Sequence, residues 1–206
     1  MSDLNLPDLD DNRLGAEPIE EFKMWFDEAI KAGIPQPDAM VLATATSSGE
    51  PSARVVLLKS VDHRGFAFYT NYGSRKGREL AANPHAALTF FWPTLHRQVR
   101  IEGTAAMVSV SESDSYFARR PRDGQLSSLT SKQSQTIRSR AELDQRFEEL
   151  KSEFQGKPIP RPEQWGGYRV RPMRIEFWQE RYARLNDRIL YTRQADGTWA
   201  RTRLQP

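Results

Sequence analysis

The spacing of apolar residues changes period along this chain. Ile19, Phe22, Trp25, Phe26, Ala29 and Ile30 recur at helical intervals, and Gly33 and Pro35 close that segment. From Met40 the rhythm is that of strands. β-rich runs over 40–46, 53–60 and 66–70 are parted by turn-forming stretches at 47–51 and 62–65. A short helix over 74–83 stops at Pro84 and precedes strands over 87–92 and 98–108. In the second of these Val99 and Ile101 alternate with Gln98, Arg100 and Glu102, so one face is polar. A helical section follows. Ser111-Glu112-Ser113-Asp114 has the form of a capping-box-like start, and Ser139-Arg140-Ala141-Glu142 is a fuller box ahead of Leu143, Phe147, Leu150 and Phe154. Pro158, Pro160 and Pro162 make a stiff connector, and strands over 167–170, 174–179, 189–193 and 199–204 close the chain. Antiparallel-type strands with inserted helices predict an α+β domain around a small barrel over 17–206. Residues 1–16, with Asp3, Asp8, Asp10 and Asp11, predict a flexible N-terminal segment.

Composition narrows the chemistry. The 206 residues suffice for one core, and 28% charged residues with no long apolar run exclude a membrane protein of helical spans. The first residues lack the basic and apolar regions of a signal peptide, which predicts a cytoplasmic location. There is no cysteine, and the three histidines (His63, His85, His96) share no metal-ligand spacing, so no metal site is expected. Net charge is +3, but arginines cluster at 119–122, 169–174 and 181–188. The clusters are short and interrupted by acids, which suits small anions better than nucleic acid.

Several local patterns carry candidate chemistry. Arg54-Val55-Val56-Leu57-Leu58-Lys59 is an apolar strand with cations at opposite parity. They serve two different anions or snorkel to water from the strand ends. Tyr69-Thr70-Asn71-Tyr72-Gly73-Ser74-Arg75-Lys76 runs from a strand through a glycine turn into a helix. Free N–H groups at such a start favour phosphate, and basic residues there oppose the helix dipole unless an anion is present. Tyr116 and Arg120 lie one helical turn apart, beside Gly124, and fit a second phosphate or a cationic helix end. Ser131-Lys132-Gln133-Ser134 is a polar loop. Near the C-terminus, Arg184-Leu185-Asn186-Asp187-Arg188 follows a strand carrying Trp178, and together they suit a wall for a flat anionic molecule. No nucleophile–base pair stands out, so the pattern points to a bound cofactor that carries the chemistry.

These motifs, in this order, resemble the pyridoxine/pyridoxamine 5′-phosphate oxidases from about residue 20 to the end. The carriers are R-V-V-L-L-K, F-Y-T-N-Y-G-S-R-K-G, Q-V-R-I-E-G, Y-F-A-R-R-P-R-D, S-K-Q-S, W-G-G-Y-R-V, I-E-F-W-Q, R-L-N-D-R and R-L-Q-P. The resemblance implies an FMN-binding split β-barrel, mainly antiparallel with flanking helices, that forms a homodimer with FMN between subunits. It implies oxidation of pyridoxamine or pyridoxine 5′-phosphate to pyridoxal 5′-phosphate, with O2 giving hydrogen peroxide. Matched by position, Arg54, Val55, Val56, Leu57, Leu58, Lys59, Tyr69, Thr70, Arg75, Lys76, Gln98, Gln133, Ser134, Trp178 and Arg188 would contact FMN. Lys59, Tyr116, Arg120 and Gly124 would meet the substrate phosphate, and Arg184 and Asn186 would stand at the reacting ring. Three departures fall on the substrate side: Asn186 replaces a usual histidine, Gly124 a frequent serine, and residues 1–18 hold no counterpart of the family's Arg-x-x-Tyr lid. Asn can hydrogen-bond but cannot become cationic. A flavin enzyme for another planar substrate, and a non-catalytic FMN or pyridoxal-phosphate binding protein, are the alternatives.

Overall fold

The structure is a computed structural model and describes Leu9 and residues 14–206. The flexible segment expected over 1–16 falls mainly outside these residues. Leu9 itself is buried in the core, and its N–H donates to Asp187 Oδ2 at 3.3 Å.

Among the described residues the strands are β1 (Ala39–Ala45), β2 (Pro51–Leu57), β3 (Ser60–Asp62), β4 (Gly65–Asn71), β5 (His85–Trp92), β6 (Arg97–Met107), β7 (Trp165–Gln179), β8 (Asp187–Arg193) and β9 (Trp199–Arg203). All pairings are antiparallel, in the order β2-β1-β5-β6-β7-β4-β3, with β8 on β7 and β9 on β8. β7 organises the sheet. One edge pairs with β6 from Tyr168 to Gln179. The other edge is divided: β4 takes 165–170 and β8 takes 174–179. The sheet therefore splits into two wings along one strand.

The pattern expected two strands over 167–170 and 174–179, parted at Pro172, which lies between them. They are one strand. The β6–β7 register shifts between Glu102 and Gly103, and Gly103 sits opposite Pro172 at that irregularity. A Cβ on Gly103 would lie 2.0 Å from the Arg171 carbonyl oxygen, so only glycine allows the approach. The run expected over 53–60 is also corrected. β2 ends at Leu57, then the Leu58 N–H donates to Asp38 O at 2.8 Å and the Lys59 N–H to Ala67 O at 2.8 Å. At this corner the chain leaves β1 for β4 and joins the two ends of the strand order, which curls the sheet into a half-barrel.

The helices are α1 (Pro18–Lys31), α2 (Arg75–Ala82), α3 (Val110–Ala118), α4 (Arg122–Thr130) and α5 (Arg140–Glu153). α3 starts earlier than expected. Its capping box is Ser109 with Glu112: Ser109 Oγ accepts the Glu112 N–H at 3.1 Å, and Glu112 Oε2 accepts the Ser109 N–H at 3.4 Å. Ser139 caps α5 by accepting the Glu142 N–H at 3.2 Å. α4 has no separate counterpart in the apolar pattern.

α1 closes the barrel through its aromatic face. Phe22 is fully buried, 4.8 Å from the Phe66 ring and 4.9 Å from Phe90, and Trp25 meets Phe177 edge-on at 5.1 Å. Phe22→Ala leaves a cavity that rigid strands on two sides cannot fill, so it lowers unfolding free energy by about 3–5 kcal/mol. Urea denaturation followed by tryptophan fluorescence measures this, and a loss below about 1 kcal/mol contradicts the barrel-plug role of α1.

Candidate functional site

A cavity of about 410 Å³ opens between β2, β4, α2 and the C-terminal ends of α3 and α4. Val55, Val56, Leu57 and Lys59 form one side, and Tyr69, Thr70 and Asn71 of β4 another. Lys76 of α2 stands at one point of its wall, Tyr116 and Arg120 of α3 and its C-terminal end at another, with Gln133 from the 131–139 loop. The fold thus assembles ten of the expected site residues around one space. It adds Asn71, Ser127, Ser128, Ser131 and Trp165, to which the sequence assigned no role. Trp165 lies in the W-G-G-Y-R-V motif, so a signal existed. Ser127 and Ser128 lie on α4, which no periodicity marked.

Lys76 is almost buried. Its Nζ donates to Thr70 Oγ1 at 3.2 Å and Gln133 Oε1 at 3.1 Å. Among the described residues no carboxylate pairs with it. Burial, then the nearby Arg54 charge, pushes its pKa below the usual lysine value, against a smaller opposing pull from Glu79. Its helix starts at Ser74, whose Oγ accepts the Gly77 N–H at 3.2 Å. A Cβ on Gly77 would meet the Tyr72 carbonyl oxygen at 2.2 Å, so this glycine lets the helix start pack onto the end of β4.

Arg120, like Lys76, lines the cavity without a carboxylate partner among the described residues. Its guanidinium lies over the Trp165 ring at 4.7 Å and donates to Ser128 Oγ. Burial lowers its pKa, while Tyr116 opposes the shift. Tyr69 and Tyr116 stack at 3.8 Å, and Trp165 continues the stack 5.6 Å from Tyr69. Gly167 makes this possible, because a Cβ there would reach the Tyr69 ring at 2.9 Å. Gly124 sits against the same guanidinium, with the position of its missing Cβ 3.3 Å from Arg120 Nη2. Lys59 holds Asp38 at 2.9 Å.

The other expected residues do not line this cavity. Leu58 is in the core. Arg54 points behind β2, where Thr44, Ser52 and Glu79 accept from its guanidinium. Arg75 is bound through Nε to Glu79 at 2.8 Å. Ser134 turns away, with φ of 70°, and lines a neighbouring cavity of about 670 Å³ against α5. Gln98, Trp178 and Arg188 are direct neighbours across β6, β7 and β8. Glu176, buried on the same face, receives Arg188 at 2.8 and 3.1 Å and Arg100 at 3.3 Å. The following turn carries Arg184, exposed and at φ of 62°, after Ala183 at 54°. Asn186 Oδ1 accepts the Arg181 N–H at 3.0 Å across that turn.

Tyr69 faces Gly167 on β7, while Gln98 faces Trp178 eleven residues further on. That is about 35 Å of strand path. Within this chain the expected site residues therefore fall into two groups far apart along β7.

The family model described as "Pyridoxamine 5'-phosphate oxidase" matches residues 26–153. The chain belongs to the pyridoxamine 5′-phosphate oxidase family. A second model, "Pyridoxine 5'-phosphate oxidase C-terminal dimerisation region", matches residues 165–206, the segment that carries Trp178, Arg184, Asn186 and Arg188. Pyridoxine/pyridoxamine 5′-phosphate oxidase of Rubrobacter xylanophilus is 60% identical over 92% of this chain and 87% of its own length. The protein of that name from Trichormus variabilis is 51% identical over 99% and 95%. Among solved structures, PhzG from Burkholderia lata, in complex with tetrahydrophenazine-1-carboxylic acid, is 35% identical, covers 100% of both chains and superposes with a TM-score of 0.93. Among the described residues of this family member no helix is long and apolar enough to cross a membrane, and no cluster of metal-ligating side chains occurs.

Lys76 gives a test of the cavity's charge. Its folded-state pKa is lowered, so between that value and the ordinary 10.5 the unfolded chain binds more protons and stability rises with pH. Lys76→Met in the ligand-free protein is expected to melt higher than wild type at pH 7, with the gap narrowing toward pH 10. Thermal melts across that range check it; a variant that melts lower at pH 7 would contradict an uncompensated cation.

Proposed function

We propose that this chain is an FMN-dependent oxidase that converts pyridoxamine or pyridoxine 5′-phosphate to pyridoxal 5′-phosphate. The observation that carries the reading is the pair of inward cations, Lys76 and Arg120, on either side of an aromatic-walled cavity. Neither has a carboxylate partner among the described residues. A buried or half-buried cation without an anion is costly, and the buried Lys76 with the half-buried Arg120 suits two phosphates, one on the cofactor and one on the substrate.

The residues fit the cofactor in chemical type. Lys76 and the N–H groups at the start of α2 suit a phosphate. Thr70 and Gln133 offer polar atoms, and the apolar face of β2 offers a flat surface. FMN held by these residues would supply an acceptor for a hydride equivalent from the substrate's C4′ carbon, with O2 taking the electrons as hydrogen peroxide. Arg120, oriented by Ser128 and by the Trp165 ring, would bind the substrate phosphate, with Tyr116 and Lys59 beside it. Gly124 leaves the substrate-phosphate grip one hydroxyl poorer than a serine would.

The remaining site residues would come from a second copy. Gln98, Trp178, Arg184, Asn186 and Arg188 do not reach the cavity of their own protomer, and four of them lie in the segment matched to a dimerisation region. In a homodimer Trp178 and Arg188 would border the flavin, and Arg184 would lie against the substrate ring. Asn186 cannot supply a proton. Its Oδ1 is engaged by the Arg181 N–H, so its amide N–H₂ remains to donate toward substrate.

The relation to PhzG supports a second reading, a planar carboxylate in place of the B6 vitamer, because Arg120 grips either anion. Turnover of pyridoxamine 5′-phosphate against unphosphorylated pyridoxamine separates the two. The oxidase reading expects a yellow protein that releases FMN on denaturation and strongly prefers the phosphorylated amine; equal turnover of both amines would overturn it. Arg120→Met should raise KM for pyridoxamine 5′-phosphate by about thirtyfold, the worth of a charge-assisted bond. FMN affinity should stay within about twofold; a matching loss of FMN affinity would contradict the assignment of Arg120 to substrate. Asn186→His keeps an acceptor for the Arg181 N–H and adds a titratable group. It should raise kcat/KM by up to about tenfold, and steady-state kinetics showing no gain would count against that position's role at the reacting ring.

A further inference from the structure

Glu79 has no part in the site as read so far. It lies on α2, is 5% exposed, and is the acceptor at the centre of a cluster that links three elements. Its Oε2 accepts from Thr44 Oγ1 on β1 at 2.5 Å, from Ser52 Oγ on β2 at 2.6 Å and from Arg54 Nη2 at 3.3 Å. Its Oε1 accepts from Arg75 Nε at 2.8 Å. Burial alone would push the carboxyl pKa up. The bonds from Ser52, Thr44, Arg75 and Arg54 outweigh it and hold the group down at about 2, so it is an anion at every working pH.

The two arginines are used differently. Arg54 spends both terminal nitrogens on protein acceptors, namely Leu42 O, Thr44, Ser52 and Glu79. It has little left to offer a ligand and stands as a brace behind β2. Arg75 is held by Nε only, and its side chain is more than half exposed. Among the described residues the two Nη groups of Arg75 make no hydrogen bond within the protein, and the side chain leaves the first turn of α2, where Lys76 follows.

We propose that Glu79 is a positioning residue: braced by Arg54, Thr44 and Ser52, it fixes Arg75 through Nε so that both Nη groups face a phosphate held with Lys76 at the start of α2. This rests on the FMN reading above and extends it to residues outside the cavity wall. The physical gain is preorganisation. A free arginine loses several rotamers on gripping an anion, whereas one already fixed by a buried carboxylate loses few. The planar fork matters, because a lysine at 75 would keep the charge but lose the Nε anchor.

The test compares FMN with riboflavin, which has the same ring system without the phosphate. Dissociation constants come from flavin fluorescence quenching on the ligand-free full chain, with no turnover required. Wild type is expected to prefer FMN strongly. Glu79→Gln and Arg75→Lys should each cut that preference by about tenfold while leaving riboflavin affinity unchanged. If Glu79 acts through Arg75, the double variant loses no more than either single one. Arg75→Lys changes an exposed side chain, so the test survives even if Glu79→Gln does not fold. An undiminished FMN preference in Arg75→Lys, losses that multiply in the double variant, or an equal fall in riboflavin and FMN affinity would each overturn the proposal. A wild-type protein that binds riboflavin and FMN equally would overturn it too, while leaving a flavin site in place. Failure of wild type to bind either flavin would instead sink the functional reading on which the proposal rests.

Discussion

The divided edge of β7 is the constraint on which the structure depends. One uninterrupted strand pairs with β6 from Tyr168 to Gln179, while its other edge serves β4 first and β8 afterwards. Every ladder must be satisfied, because unpaired backbone groups in a sheet interior are costly. The change of partner therefore forces the sheet apart into two wings. Gly103 at the register shift, and the corner at Leu58 and Lys59, let the chain follow that division without losing hydrogen bonds. One wing carries the cavity with Lys76 and Arg120. The other carries the Gln98–Trp178–Arg188 row and the turn with Arg184 and Asn186.

Charge is handled in opposite ways in the two wings. Around Glu176 the arginines are matched: Arg188 and Arg100 share one buried carboxylate. Around the cavity the balance is left positive. Glu79 absorbs Arg54 and anchors Arg75, yet Lys76 and Arg120 have hydroxyls, an amide and a π face in place of an anion. Such a site costs folding energy that a bound anion returns. The aromatic stack of Tyr69, Tyr116 and Trp165 gives the cavity rigid walls, and Gly167 gives those rings their room.

Much of this was legible in the chain. The helical spacing of Ile19 through Ile30 marked the helix that closes the barrel, though not where it packs, and the alternation in β6 marked its polar face. Local glycine–serine chemistry at Tyr72-Gly73-Ser74 marked the helix start that bears Lys76. Other features were not legible for definite reasons. Pro172 signals a strand break unless the partner strand is irregular opposite it, which only pairing reveals. Ser109 and Ser111 are both acceptable caps, and the choice depends on where β6 ends. α4 is short and weakly amphipathic, so it leaves little trace in the apolar pattern. Glu79 sits among ordinary helical residues, and its burial depends on β1 and β2 arriving with Thr44, Ser52 and Arg54.

The sequence by itself determined most of the element types, α4 excepted, together with the excess of arginine around polar loops, the lack of any thiol or histidine cluster, and the ordered motifs of the family. These are local or compositional properties, set by residue type and spacing. Tertiary structure decided which cations meet carboxylates and which do not. It turned Arg54 away from the cavity and Lys76 into it, although both had looked equally suited to an anion. It also separated the two parts of the site along β7. The reason is that ion pairing and strand pairing join residues far apart in the chain, and their outcome depends on which surfaces the fold brings together.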